Sequence, residues 1–260
     1  MLLSGRVAMI SGAGTGIGRA TALLLAREGA RIAALGRDEA ELEETLGAIR
    51  DLGGEGMAIE ADVAHPETVE AAFRRVDDRW GRLDIVVANA GINGVWAPIE
   101  ELDPKEWADT LAINLTGTFL TIKYAAPMLK RRGGAVVVMA SVNGTRIFSN
   151  TGATAYAVSK AGQVALVKMV ALELAEHKVR VNVICPGAIE TGIHDKTVRR
   201  EMGSIGVPVE FPEGSMPLTG GAMGSPEQVA RLVLFLASDS SDLITGTEVW
   251  IDGGESLLRG

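Results

Sequence analysis

The stretch SGAGTGIGRA, from Ser11 to Ala20, places four glycines within seven positions between two apolar segments. The preceding GRVAMI has the pattern of a strand, and the following TALLLAREGA has the pattern of a helix. The glycine spacing is G-x-x-x-G-x-G, through Gly12, Gly16 and Gly18. Glycines at such a turn let backbone N–H groups approach a pyrophosphate at the helix N-terminus. A tight turn that serves only close helix packing is the alternative interpretation.

Short apolar segments alternate with longer amphipathic ones on both sides of this stretch. The strand-like segments are RVAMI, RIAAL, GMAIE, LDIVVA, AVVVMA, VRVNVI and EVWI, and helical patterns cover about 17–28, 39–52, 66–80, 103–130, 154–175 and 226–237. Strands that are apolar on both faces are typical of a parallel sheet covered by helices on each side. The sequence therefore predicts one α/β domain over residues 1–260, a Rossmann-like doubly wound parallel sheet of about seven strands. The Gly- and Pro-rich segment at about 189–224 is expected to be a substrate lid.

Composition narrows the classes of function. The formal charge is −8, which disfavours nucleic acid as a partner because phosphate backbones are repelled. No apolar segment approaches a membrane span, and no basic region followed by an apolar block suggests a signal peptide. Cys185 is the one cysteine, and the three histidines show no metal-ligand spacing. We expect a cytoplasmic protein without a metal.

The end of the second strand, AALGRD, bears on the choice of a dinucleotide cofactor. An acidic residue about 20 residues past the glycines would bind the ribose diol and favour NAD. Gly36 occupies the slot after Leu35, and Arg37 follows, whose guanidinium can pair with a 2′-phosphate. The neighbouring carboxylate of Asp38 weakens the positive field of Arg37. The alternative interpretation is that Arg37 is simply solvated and binds no phosphate. The pattern favours NADP over NAD.

Three side chains form a candidate acid–base unit. Ser141 follows the strand AVVVMA, and open α/β sheets bind ligands at the carboxyl ends of their strands. Tyr156 and Lys160 lie four apart on a predicted helix and so share a face. A nearby ammonium lowers the pKa of a phenol, which makes the pair suitable for proton transfer.

With these motifs the chain resembles the short-chain dehydrogenase/reductase family in its short single-domain form. The resemblance covers nearly the whole length through SGAGTGIG, ADV, NAG, NLTG, YAVSK, PGAIET and ITGTEVWIDGG. It implies a catalytic tetrad of Asn114, Ser141, Tyr156 and Lys160. The implied cofactor contacts are Gly12, Gly14, Thr15, Gly16, Ile17, Gly18, Arg37, Asp62, Val63, Asn89, Ala90, Gly91, Tyr156, Lys160, Pro186, Gly187, Ile189 and Thr191.

The same resemblance implies roles for the tetrad. Tyr156 would exchange a proton with a carbonyl or an alcohol, and Ser141 would hydrogen-bond the substrate oxygen. Lys160 would bind the nicotinamide ribose and lower the pKa of Tyr156. Asn114 would hold, through its main chain, a water that relays protons to Lys160. Thr15 stands where some NADP-preferring members have a basic residue, which weakens the preference for NADP.

The roles of several further residues allow two interpretations. Trp96 and Phe148 either line the substrate pocket or pack ordinarily, and His194 lies in the lid segment. Cys185 is expected to be a packed thiol because no histidine is placed to activate it.

The resulting hypothesis is an NAD(P)-dependent oxidoreductase that interconverts a secondary alcohol and a ketone. The alternatives are a catalytically silent NAD(P)-binding sensor or scaffold, and an epimerase or dehydratase acting on nucleotide sugars. Family members are commonly tetramers, and a homotetramer is expected because the helix at 154–175 is apolar on more than one face. The small-molecule substrate stays open.

Overall fold

A seven-stranded parallel sheet forms the centre of the molecule in the computed structural model, which describes residues 1–193, 195–206 and 216–259. The strands are β1 (Val7–Ser11), β2 (Arg31–Gly36), β3 (Gly56–Glu60), β4 (Ile85–Ala88), β6 (Gly134–Met139), β7 (Val179–Pro186) and β9 (Glu248–Ile251), with β5 and β8 outside this sheet. Their order is β3-β2-β1-β4-β6-β7-β9. The order reverses direction between β1 and β4, and doubly wound sheets bind ligands beyond such a point. The Rossmann-like prediction is confirmed.

The helices follow the predicted pattern with one local exception. They are α1 (Gly16–Arg27), α2 (Glu39–Asp51), α3 (Pro66–Trp80), α4 (Pro104–Leu111), α5 (Gly117–Leu129), α6 (Thr154–Ala175), α7 (Pro226–Ala237) and α8 (Glu255–Arg259). The helix expected over 103–130 is divided, because residues Ala112–Thr116 form a π-helical turn between α4 and α5. That turn contains Asn114, and π-turns often occur at functional sites.

Local signals explain where the helices begin and end. Asp38 accepts a hydrogen bond from Glu41 N at the start of α2, and Ser225 forms a capping box with Gln228 at the start of α7. At the end of α3, Gly81 takes φ +63, a left-handed conformation that glycine adopts without strain. These caps hold the helices in place on the two faces of the sheet.

Two apolar clusters pack on opposite faces of the sheet. One contains Phe73, Leu129 and Val167 against one set of strand side chains, and the other contains Leu25 and Val233 against the alternate set. Residues of β1 are divided between the two clusters, as the alternation of side chains along a strand requires. Within the described residues, no helix is long and apolar enough to cross a membrane.

A second, two-stranded sheet lies outside the main one and was not expected. Val95–Trp96 (β5) pairs in parallel with Val198–Arg199 (β8), which lies in the segment expected to be a lid. Two short 3₁₀ turns, Met202–Ser204 and Pro217–Thr219, occur in the same segment. The described part of 189–224 is thus partly ordered by pairing to the loop after β4, rather than a plain loop. His194 lies outside the described residues.

Candidate active site

A cavity of about 730 Å³ opens beyond the carboxyl ends of the central strands. The glycine turn after β1, the loop after β4, the loop after β6 and the turn after β7 all contribute to its wall. This is the position that the reversal of strand order predicts. The predicted site residues that line it are Gly12, Thr15, Gly16, Ile17, Asn89, Ala90, Gly91, Ser141, Tyr156, Lys160, Pro186, Gly187, Ile189 and Thr191.

The glycine turn is shaped to leave one side of the cavity open. Gly12 and Gly16 have φ values of +66 and +52. A Cβ on Gly16 would lie 3.3 Å from Cγ2 of Thr191, so a side chain there would begin to fill the cleft between the two turns. Thr15 is the N-cap residue of α1 but makes no side-chain capping bond. The first N–H groups of α1 therefore remain available to an anion such as a pyrophosphate.

Close packing also explains two of the glycines. A Cβ on Gly18 would lie 2.0 Å from the carbonyl oxygen of Gly12, and one on Gly14 would lie 2.8 Å from Cβ of Glu41. Gly14 and Gly18 do not line the cavity. The packing interpretation and the phosphate interpretation of this stretch are therefore both supported, each at different glycines.

Ser141, Tyr156 and Lys160 converge at the floor of the cavity and are 4–8% exposed. The Ser141 hydroxyl oxygen accepts a hydrogen bond from Asn143 N at 3.1 Å. Lys160 Nζ donates to the carbonyl oxygen of Met139 at 2.9 Å and lies 5.5 Å from the centroid of the Tyr156 ring. The phenol, the hydroxyl and the ammonium therefore form one largely buried part of the cavity surface.

Burial controls the proton affinities of this group. Burial raises the pKa of Tyr156 above its ordinary value, and the hydrogen bond with Ser141 offsets part of that rise. Burial also lowers the pKa of Lys160 from 10.5 to about 8, because a desolvated ammonium is unfavourable. The lowering of the Tyr156 pKa by Lys160 that the spacing predicts is not found in this structure. Tyr156 therefore holds its proton at neutral pH.

Asn114 lies behind this group rather than on the cavity surface. Its side-chain amide is fully buried, donates to the carbonyl oxygen of Ile92 and to Ser159 Oγ, and accepts from Ile92 N. Ser159 Oγ in turn donates to the carbonyl oxygen of Tyr156 at 2.7 Å. Asn114 thus ties the π-helical turn to the loop after β4 and to α6.

The main chain of Asn114, to which the resemblance assigns a proton-relaying water, is hydrogen-bonded to two side chains. Its carbonyl oxygen accepts from Gln163 Nε2 at 2.8 Å and from Thr118 Oγ1 at 2.7 Å. These two bonds use both acceptor sites of a carbonyl oxygen. The relay of protons through a water at Asn114 stays a prediction.

Three of the implied cofactor contacts, Arg37, Asp62 and Val63, lie outside the cavity wall. Arg37 has a side chain that is 65% exposed, and its Nη1 is 4.0 Å from Oδ2 of Asp62. Asp62 Oδ1 also accepts from Ala64 N, and Val63 is buried against Gly117. The Asp38 carboxylate caps α2, whereas the guanidinium of Arg37 is exposed beyond the end of β2.

Sequence reasoning missed several polar residues of the wall. Asn93, Asn143, Asn150 and Lys196 line the cavity, and so does Glu255 from α8. Asn150 donates to Asn143 Oδ1 at 2.8 Å. Trp96 is also part of the wall, whereas Phe148 is not and is 71% exposed. Glu255 has no local sequence signal, because it reaches the cavity from a helix distant in the chain.

Cys185 behaves as a packed thiol. It is buried on β7, and burial raises the pKa of its thiol to about 12. His65 and His177 lie at the surface beside Glu67 and Glu176 respectively. Across the described ranges no group of three or more His, Cys, Asp or Glu side chains could hold a metal ion.

Comparison with known proteins identifies the family of this chain. A family model described as enoyl-(acyl carrier protein) reductase matches residues 12–256. This chain belongs to the short-chain dehydrogenase/reductase family. Its fold superimposes with a TM-score of 0.93 on the crystal structure of a 3-ketoacyl-ACP reductase from Sinorhizobium meliloti 1021, at 51% identity over 97% of this chain and 100% of that chain.

Two other members of the short-chain dehydrogenase/reductase family indicate the range of its relatives. A 3beta-hydroxysteroid dehydrogenase from Mediterraneibacter gnavus is 33% identical over 96% of this chain and 94% of its own length. The 3-ketoacyl-(acyl-carrier-protein) reductase from Brucella melitensis, crystallised with NADH, has a TM-score of 0.85 at 30% identity, covering 98% of this chain and 99% of that chain. Family membership supports an NAD(P)-dependent oxidoreductase, and the glycine turn with its uncapped helix fits a nicotinamide dinucleotide.

Proposed function

We propose that this protein interconverts a secondary alcohol and a ketone by hydride transfer, with Tyr156 as the proton donor and acceptor. The observation that carries the proposal is the convergence of Tyr156, Ser141 and Lys160 on the wall of a cavity that the glycine turn also borders. The bound nicotinamide would supply or accept the hydride. No metal is part of the proposal.

Each residue of the group has a distinct role in this proposal. Tyr156, whose pKa is raised by burial, is protonated at neutral pH and gives its proton to the oxygen of a ketone as the hydride arrives. Ser141 holds that oxygen through its hydroxyl proton, since Asn143 N already donates to its oxygen. The Lys160 ammonium orients the nicotinamide ribose. Asn114 is a positioning residue, because its amide bonds fix the backbone around Tyr156.

For the cofactor we propose NADP, with NAD as the alternative. Arg37 is exposed at the end of β2, where it is free to turn from Asp62 toward a 2′-phosphate. Gly12, Gly16 and the N-terminus of α1 would hold the pyrophosphate. Asp62 and Val63 would border the adenine ring, and Ile189 and Thr191 the carboxamide.

We also propose one domain with a lid over the substrate. The part of 189–224 that pairs with β5 closes one side of the cavity through Val198 and Ile193. The cavity wall combines apolar side chains such as Trp96 and Ile147 with the amides of Asn93 and Asn143. Such a wall suits a small carbonyl compound with both apolar and polar parts.

A catalytically silent sensor or scaffold is the alternative function. It would need the dinucleotide cleft but not a buried phenol held by Ser141. An epimerase or dehydratase of nucleotide sugars would require additional substrate-binding elements. Neither alternative explains the proton donor as directly as carbonyl reduction does.

A panel of ketones and secondary alcohols with both cofactors tests the proposal. We expect at least one ketone to oxidise the reduced cofactor. The loss of absorbance of the reduced nicotinamide measures this reaction. The Asn114→Ala variant should retain cofactor binding and lose part of the turnover. Tight cofactor binding without turnover on any substrate would favour the sensor, and no cofactor binding at all would overturn the proposal.

A further inference from the structure

The C-terminal segment contributes a carboxylate to the catalytic cavity that the proposed chemistry does not use. Glu255, the first residue of α8, is 5% exposed and lines the cavity together with Tyr156 and Lys160. A buried acid is costly unless it is hydrogen-bonded, so its presence calls for a specific partner. One partner is the backbone of the turn after β7, where Ala188 N donates to Glu255 Oε2 at 3.2 Å.

The turn after β7 is held by the C-terminal segment at adjacent positions. Gly187 N donates to the carbonyl oxygen of Ile251 at 3.1 Å, directly before the Ala188 bond to Glu255. A Cβ on Gly187 would lie 2.8 Å from Cβ of Asp252 and 2.9 Å from Oε2 of Glu255. The turn and the start of α8 are therefore in direct contact, and a shift of one would shift the other.

The position of Glu255 is itself fixed from the opposite side. Asp252 Oδ1 accepts from Gly254 N at 3.2 Å, and Asp252 Oδ2 accepts from Ser256 N at 2.9 Å. Glu255 N donates to the carbonyl oxygen of Asp252. These bonds satisfy N–H groups at the start of α8 and hold its first residue in position. The start of α8 is thus fixed between β9 and the turn after β7.

The far side of the turn is paired with another segment. Gly224 N donates to the carbonyl oxygen of Ala188 at 3.0 Å, and Glu190 N donates to the carbonyl oxygen of Gly224 at 2.8 Å. Ala188 thus lies between the lid segment on one side and Glu255 on the other. Removing the Glu255 carboxylate would leave the partly buried N–H of Ala188 without this acceptor and would free the turn on the cavity side.

We propose that Glu255 is a positioning residue that holds the turn of Pro186–Ile189 in the shape required to bind the nicotinamide end of the cofactor. The inference rests on the proposed function, because this turn is one of the proposed cofactor contacts. It assigns the hydrogen bond, rather than the charge, as the property of Glu255 that matters. It also makes α8 part of the cofactor site, although α8 lies at the far end of the chain.

Binding of NADPH and NADH to the purified protein, measured by the fluorescence of the reduced nicotinamide, tests the inference. Glu255→Ala and Glu255→Leu remove the acceptor, and Leu also fills the space. We expect both to raise the Kd of the reduced cofactor about tenfold or more, since the N–H of Ala188 is left without its acceptor. Glu255→Gln keeps an acceptor oxygen, so its Kd should stay within about threefold of the wild-type value.

A matched control is Glu248→Ala, which removes a carboxylate from β9 that pairs with Lys168 and not with the turn. Its Kd should match that of the wild-type protein. Steady-state kinetics should show the Glu255→Ala loss in the KM for the cofactor, with kcat changed less. Thermal melts show whether each variant folds. If Glu255→Ala does not fold, the comparison of cofactor Kd between Glu255→Leu and Glu255→Gln tests the inference.

Two results would overturn the inference. The first is cofactor affinity of Glu255→Ala and Glu255→Leu within twofold of the wild-type affinity. The second is a Glu255→Gln variant as weak as Glu255→Ala, which would assign the role to charge. Failure of the wild-type protein itself to bind either cofactor would instead overturn the proposed function.

Discussion

At the scale of single residues, Lys160 shows how burial and chemistry are linked. The ammonium is 4% exposed, donates to the carbonyl oxygen of Met139, and has its pKa lowered from 10.5 to about 8 by desolvation. An unfolded lysine keeps the ordinary pKa, so the unfolded state binds this proton more tightly than the native state. The cost to native stability is full below pH 8 and disappears as the pH rises from 8 to 10.5.

We therefore expect Lys160→Met to be more stable than the wild-type protein at pH 7, by up to about 3 kcal/mol. The difference in unfolding free energy should shrink as the pH rises above 8, because the wild-type lysine then loses its proton in the folded state. Urea unfolding of both proteins at several pH values measures it. A difference that stays constant over this range would show that the burial of the ammonium is not the cause.

Arg37 carries the choice of cofactor in the proposal. Its guanidinium is 4.0 Å from Asp62 Oδ2 and mostly exposed, so turning toward a 2′-phosphate costs little. Arg37→Ala should weaken NADP binding by roughly 1.5–3 kcal/mol and leave NAD binding nearly unchanged. The matched control is Arg50→Ala, which removes an exposed arginine on α2. Calorimetric titration with both cofactors decides, and equal losses for the two would remove the argument for NADP.

At the scale of elements, residues 197–200 are held to the loop after β4 and to α4 by more than strand pairing. Arg200 donates to both carboxylate oxygens of Glu106 on α4, at 3.1 and 2.7 Å. Asn93 Nδ2 donates to Thr197 Oγ1 at 2.7 Å, and the Arg199 guanidinium lies over the Trp96 ring. Residues 197–200 are therefore held at three points in addition to the short β5–β8 pair.

Arg200→Ala should loosen this side of the cavity without changing the chemistry. The ion pair is partly exposed, so we expect a modest effect, a rise of a few-fold in the KM for substrate with kcat nearly unchanged. Amide hydrogen exchange over residues 195–200 should quicken in the variant. Arg132→Ala, far from the lid, is the control. Unchanged exchange and KM would show that β5–β8 pairing alone holds the segment.

At the scale of the whole molecule, apolar side chains remain exposed on α5, α6 and α8. Phe119, Met169, Leu172 and Leu257 are 45%, 75%, 83% and 77% exposed. Small residues continue the exposed stripe of α6 at Ala161 and Ala165, whereas Gly162 packs against Leu115 of the same chain. Exposed apolar surface of this kind is typical of a contact between copies.

We therefore predict a homotetramer, with a dimer as the alternative. Light scattering on the purified protein should give about four times the chain mass of 27.2 kDa, or about twice it. Met169→Glu or Leu172→Glu should lower the measured mass, because a charge would be buried at the contact. A clean monomer of the wild-type protein at micromolar concentration would contradict the prediction.

The sequence predicts the main sheet and its helices well because each has a strong periodicity or cap. RIAAL and AVVVMA are apolar on both faces, and Ser225 followed by Pro226 begins α7 where expected. Val95–Trp96 and Val198–Arg199 could not be found, since two-residue strands have no periodicity and pair only through tertiary contact. The π-turn at Ala112–Thr116 is invisible for the same reason.

The site is predictable where a local motif defines it. It is not predictable where it depends on burial or on contacts between distant parts of the chain. Ser141, Tyr156 and Lys160 meet as their spacing predicts, but the pKa of Tyr156 is raised because burial dominates. Glu255 reaches the cavity from the last helix, more than 60 residues beyond the turn it contacts. Contacts at such separation are set by the fold and leave no local pattern.

The most direct test of the account is the turnover of Tyr156→Phe. The substitution keeps the ring and removes the proton, so turnover on an active ketone should fall at least ~10²-fold. Because the phenol oxygen contributes to the proton transfer and not to the glycine turn, cofactor affinity should stay largely unchanged. Near-normal turnover of Tyr156→Phe would contradict the assignment of Tyr156 as the proton donor and, with it, the proposed mechanism.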